Sequence, residues 1–169
     1  MSHIASRRIG QARVTVVTDG GTSFTPDLFP GTEPERIERL LAGQGLSGIA
    51  TNFNAVLIET GGRVVLADAG ARDLFGPACG NLPAGLAEAG IAPERVDTLF
   101  ATHLHPDHIA GMIAADGSAA FPAAELVLTE AERAFWSDPA RTAGLGEAVA
   151  QWAQLARAVM AAYGDRLRI

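Results

Sequence analysis

The chain carries one cysteine, Cys79, in 169 residues, so no intrachain disulfide framework can hold it together. No apolar run reaches the roughly 18 residues of a membrane-crossing helix, and no such span is expected. Basic runs are missing as well. Nineteen acidic against 13 basic residues leave a net charge of −6, which argues against a general nucleic-acid or anionic-membrane binder. Low-complexity linkers and internal repeats are absent, and nothing argues for a second domain. With 48% hydrophobic residues, the stretch 1–169 can bury a core and reads as a single domain. Near the N-terminus, Arg7 and Arg8 are followed by Gln11 and Arg13, which interrupt the apolar segment a secretory signal needs. The cytoplasm is therefore the expected location.

Histidine is scarce too, with four in the chain. Three of them fall in one short stretch, His103-Leu104-His105-Pro106-Asp107-His108. Val96 to Thr102 reads as a short buried strand and Ile109 onward as a helix, so the cluster sits at a strand-to-helix junction. On the extended stretch His103 and His105 are two apart and point to the same face. Pro106 fixes its own φ and helps end the strand. Asp107 and His108 then fall on the turn entering the helix, aimed at the same space. Three imidazoles and a carboxylate suit zinc or another first-row divalent ion. A lone histidine is usually a structural residue, but packing alone gives no reason to gather such costly polar groups at one strand end. His3, near the terminus, and Cys79, in a Pro- and Gly-flanked loop, read as bystanders.

The remaining elements alternate between strands and helices. Arg13 to Thr18 reads as a strand closed by an Asp19-Gly20-Gly21 turn. Thr32 to Gly43 reads as a helix with Thr32 as cap, Glu35 completing a capping box, and Ile37, Leu40 and Leu41 as its apolar stripe. Phe53 to Glu59 and Arg63 to Ala67 form a hairpin across Thr60-Gly61-Gly62. Leu82 to Ala89 is a short helix stopped by Gly90. Glu125 to Leu128 is a strand leading into a helix capped by Thr129, with Glu132 three residues on. Glu147 to Tyr163 carries apolar residues at helical spacing and ends at Gly164. Asp165 to Ile169 begins the alternation of a further strand.

The His103-x-His105-x-Asp107-His108 pattern resembles the signature of the metallo-β-lactamase superfamily. The strings Asn54 to Gly61 and Val64 to Gly70 are similar to that family's early hairpin, which ends in an Asp-x-Gly turn. Asp73-Leu74-Phe75-Gly76, Asn81-Leu82-Pro83, Phe121 to Ala124 and Phe135-Trp136 resemble more particularly the branch containing methyl parathion hydrolase and related lactonases. The resemblance implies an α/β fold, the αββα sandwich, of which this chain covers roughly the first half. That family carries a later His, a bridging Asp and a final His, whereas no histidine follows His108. Residues 1–169 are therefore expected to be a C-terminally incomplete domain.

The resemblance also implies roles. His103 and His105 would hold one metal, Asp107 and His108 a second, giving two divalent ions with zinc foremost. Asp107 and Asp68 are the candidate catalytic carboxylates, Asp68 acting from beneath the site by orienting a ligand; its plainer alternative is to cap the following turn. Asp19 reads first as a turn residue and second as a rim residue. Phe75 and Trp136 match aromatic pocket walls of the branch, whereas Trp152 reads as core. Phe24 and Phe29 lie in a Pro-rich loop that either folds over the site or pins the loop itself. The implied reaction is attack by a metal-activated hydroxide on a small ester-like substrate: a lactone, carboxylic ester or phosphotriester. Two other readings stay open, a mononuclear iron oxidoreductase on the same fold, such as a persulfide dioxygenase, and a non-catalytic metal-binding remnant. The family also allows a homodimer.

Overall fold

Gly61 and Gly62, both at positive φ (56° and 78°), turn the chain back on itself so that Thr60 pairs with Arg63. The hairpin they close lies at the middle of a seven-stranded sheet in the computed structural model, which describes residues 2–169. Its strands are β1 (Ile4–Ile9), β2 (Ala12–Phe24), β3 (Ile49–Thr60), β4 (Arg63–Ala67), β5 (Thr98–Phe100), β6 (Glu125–Val127) and β7 (Leu167–Arg168), lying side by side in sequence order. The first four form an antiparallel meander, and β4 to β7 run parallel. Among the described residues six α-helices join them: α1 (Pro34–Gly43), α2 (Leu82–Glu88), α3 (Pro106–Ile109), α4 (Glu130–Ser137), α5 (Pro139–Thr142) and α6 (Glu147–Tyr163).

Parallel strands added in sequence order need crossovers of one hand, which put their helices on one face of the sheet. That face holds the core. Val17, Ala55, Leu57, Val64, Leu66, Leu99 and Leu126 alternate inward and pack with Leu86 of α2, Ile109 of α3, Trp136 of α4 and Val159 and Tyr163 of α6. The opposite face is also apolar, with Val56, Ile58, Val65 and Val127 half-buried and Val16 and Phe100 exposed by 38% and 36%. Its alternation with the buried set is the period-two pattern of strands. No described helix is long and apolar enough to cross a membrane.

Several local expectations give way. Ile4 to Ile9 is an edge strand paired with β2, its exposed residues having masked the pattern. Strand β2 continues through Asp19-Gly20-Gly21, and the register slips between Thr18 and Gly20, so the expected turn is a β-bulge. Helix α1 begins at Pro34 with Glu33 at its N-cap and no side-chain cap, which displaces Thr32 from that role. Leu40 on this helix is 64% exposed, so the apolar stripe is buried only at Ile37. The helix expected from Ile109 onward is instead α3, one turn ending there, followed by a 3-10 turn to Met112. The short helix α5 is an additional element, started by Pro139 and capped by Asp138, which accepts from Ala140 N at 2.9 Å. By contrast, Thr129 caps α4, accepting from Glu132 N at 3.4 Å, and α6 spans Glu147 to Tyr163 as its periodicity requires.

Candidate metal centre

The carboxyl ends of β4 and β5 meet at the site. Strand β4 ends at Ala67, and Asp68 follows at φ 59°, a left-handed conformation that Asp tolerates better than most residues. This backbone is held from several sides. Asp68 N donates to Phe100 O and Ala69 N to His108 O, at 2.9 and 2.7 Å. Gly111 packs directly beneath, where an added Cβ would stand 2.0 Å from Ala69 O. Asp68 is thereby turned inward, 6% exposed, toward the segment that follows β5.

Its carboxylate organises that segment. Asp68 Oδ1 accepts from Thr102 N at 2.9 Å, and the Thr102 hydroxyl reaches Oδ2 at 2.8 Å. His108 Nδ1 lies 2.8 Å from Asp68 Oδ2, leaving Nε2 directed elsewhere, 3.4 Å from Asp107 Oδ2. Thr102 Oγ1 is also 3.1 Å from His103 Nδ1, so one acidic group reaches two imidazoles, directly and through a hydroxyl. The three rings converge: His103 and His108 centroids are 4.0 Å apart, and His103 and His105 4.7 Å. Asp68, His103, His105, Asp107 and His108 are thus gathered into one place.

Burial, and then the neighbouring His108 and His105, lower the His103 pKa and keep that imidazole neutral with a lone pair free. Burial works against the charged form of His108, but hydrogen bonds to Asp107 and Asp68 outweigh it and raise its pKa to about 9. Burial likewise opposes ionisation of Asp107, and the bond to His108 prevails, lowering its pKa. Among the described residues no group of three or more His, Cys, Asp or Glu side chains stands in an arrangement that could hold a metal ion. His108 is turned toward Asp68 and Asp107 as a donor to carboxylates. The donor chemistry nevertheless fits a first-row divalent ion, since imidazole and carboxylate are the ligands such ions take.

The surroundings redistribute the aromatic roles. Phe75 is half-buried, its ring 4.9 Å from Phe53 and 6.2 Å from Phe24. It lines a cavity of about 350 Å3 with Leu74, Pro106, Gln151, Trp152 and Leu155. Trp152, expected in the core, packs against it and is also a wall of this cavity, 5.3 Å from the His105 ring. Trp136, read as a wall, is 3% exposed and sits behind His105 at 5.7 Å, its indole donating to Glu132. Helical spacing gives both tryptophans similar signals, and only packing separates them. Phe24 props Phe75, whereas Phe29 lies against α1, away from the site.

Asp19 is neither a turn nor a rim residue. The bulge turns it inward to 1% exposure, where its carboxylate accepts from Ala71 N and Leu82 N at 2.8 Å each and from Gly80 N at 3.3 Å. It fixes both ends of the loop carrying Phe75. Thr102 and Glu132 also belong to the site, holding Asp68 and the Leu104 peptide, and neither is part of the histidine pattern. Adjacency of Thr102 to His103 was one available signal; Glu132 gave only that of a helix cap.

Strand-end histidines and an Asp-x-Gly turn on an α/β sheet define a class. The metallo-beta-lactamase superfamily model matches residues 50–143, and the chain belongs to that superfamily. It is similar to the solved structure of the hydrolase AbOPH in the beta lactamase superfamily, at 30% identity and a TM-score of 0.85, over 99% of this chain and 60% of that one. It shares its fold with AidC, a dizinc quorum-quenching lactonase solved with the product N-hexnoyl-L-homoserine, at 20% identity, a TM-score of 0.87 and the same coverage. The chain thus spans about 60% of the length of these relatives. No curated protein matches it.

Proposed function

We propose that this chain carries the metal site of a hydrolase acting on an ester-like bond in a small, partly apolar molecule: a lactone, carboxylic ester or phosphotriester. The observation that carries the reading is the convergence of the His105 and His108 rings on that of His103, with His108 Nδ1 2.8 Å from the Asp68 carboxylate. His103 and His105 would hold one divalent ion and Asp107 and His108 a second, zinc being the ion best matched to the donors. When bound, such ions supply a water acidic enough to react at neutral pH and a Lewis acid for the bond attacked.

The chain's own side chains do the rest. Asp68 holds the His108 ring in one orientation, and Thr102 passes that constraint to His103. Phe75, Trp152 and Leu155 give the apolar part of a substrate a place beside His105 and exclude water there. The hydrolase and lactonase names of AbOPH and AidC support the reaction class.

The test measures zinc per chain and hydrolysis of an acyl lactone, an aryl ester and an aryl phosphotriester. Both His103→Ala and His105→Ala should lose metal and turnover while the melting transition is kept. Turnover surviving both changes would end the proposal, and iron with oxygen consumption would favour the oxidoreductase.

A further inference from the structure

Two of the three clustered imidazoles have a polar partner, and the third has none. His108 is held by Asp68 and His103 by the Thr102 hydroxyl. No hydrogen bond to the His105 ring occurs among the described residues; its ring lies instead beside two indoles, Trp136 at 5.7 Å and Trp152 at 5.3 Å. The plane of Trp136 stands at 82° to the His105 ring, an edge-on contact of the kind aromatic rings prefer. What fixes Trp136 therefore sets one side of His105.

That anchor is Glu132. Its Oε2 accepts from Trp136 Nε1 at 3.0 Å and from Leu104 N at 2.8 Å. Leu104 separates His103 from His105 and is fully buried, so the same oxygen pins the peptide on which His105 is carried. In a capping box a glutamate at this helix position turns back to the cap residue's N–H. Here the Thr129 half of the box forms, while the Glu132 side chain is committed to the histidine loop.

We infer that Glu132 is a positioning residue for His105, acting through the Leu104 peptide and through Trp136 as a fixed back plate. This rests on the proposed reading of His105 as a metal ligand. A glutamate serving only the stability of α4 would leave the His105 ring undisturbed when replaced.

The experiment compares wild type, Glu132→Gln and Glu132→Leu by NMR of the histidine rings in the metal-free chain, then titrates each with cobalt(II) alone. Glu132→Leu should shift and broaden the His105 signals while those of His103 and His108 hold, and should weaken cobalt binding about 10- to 100-fold. Glu132→Gln, whose amide oxygen can accept both bonds, should restore His105 and most of the affinity. Unchanged His105 signals in folded Glu132→Leu would overturn the inference, as would a glutamine variant as impaired as the leucine one. If Glu132→Leu does not fold, Glu132→Asp, whose carboxylate falls one methylene short of both donors while both indoles stay, must still shift His105. Wild type that binds no cobalt would defeat the metal reading, leaving the ring signals to decide on Glu132.

Discussion

Asp68 and His108 are 40 residues apart in sequence and 2.8 Å apart in space, joined carboxylate oxygen to Nδ1. The contact exists because β4 and β5 are parallel neighbours, so that Asp68 after β4 and α3 after β5 meet at the carboxyl ends of the strands. It leaves Nε2 as the nitrogen through which His108 would face an ion, and in this structure that nitrogen lies 3.4 Å from Asp107 Oδ2.

Asp68→Asn should weaken zinc binding about 10- to 100-fold, because an amide is a poorer acceptor and does not fix the imidazole tautomer as a carboxylate does. Competition with a chelator measures this. Equal affinity in wild type and variant would return Asp68 to the role of a turn residue.

Trp136 and Trp152 should part ways on truncation. Trp136→Ala empties a buried site and should cost about 3–5 kcal/mol in denaturant unfolding. Trp152→Ala removes a half-buried cavity wall and should change relative kcat/KM among substrates with smaller loss of stability. The reverse pattern would reassign the two rings.

Asp19→Ala would leave three backbone N–H groups, those of Ala71, Gly80 and Leu82, without their acceptor. A loss on the order of 1–3 kcal/mol per stranded buried donor is expected. Hydrogen exchange should quicken at these amides; exchange at the wild-type rate would mean that the loop is held by other contacts.

In the metal-free chain His108 should titrate near 9 by histidine-ring NMR. The folded pKa lies above the unfolded value, so this group's stabilisation is complete below about pH 6.5 and is lost as pH rises through 9. An ion that takes the same nitrogen must displace the proton, so zinc affinity should rise with pH across that window. A His108 midpoint at the ordinary histidine value would show that the Asp68 and Asp107 contacts do not hold in solution.

The sequence by itself determined the family and the identity of the clustered residues. Spacing placed His103 and His105 on one face of an extended segment, Gly61-Gly62 marked the β3–β4 hairpin, and the apolar period drew α6 to its end at Gly164, because these depend on local backbone geometry. Tertiary structure decided what depends on elements that meet across the sheet. Asp19 looked like a turn because Gly20 and Gly21 follow it, yet pairing with β3 made it a bulge and turned its carboxylate inward. Trp136 is buried because α4 packs behind His105, while Trp152 of α6 packs against the core and also faces the cavity. Glu132 looked like half of a helix cap, and only the fold brought Leu104 and Trp136 to the same carboxylate oxygen. Hydrogen bonds between distant residues have no period in the chain, so their partners become known only when packing fixes who stands beside whom.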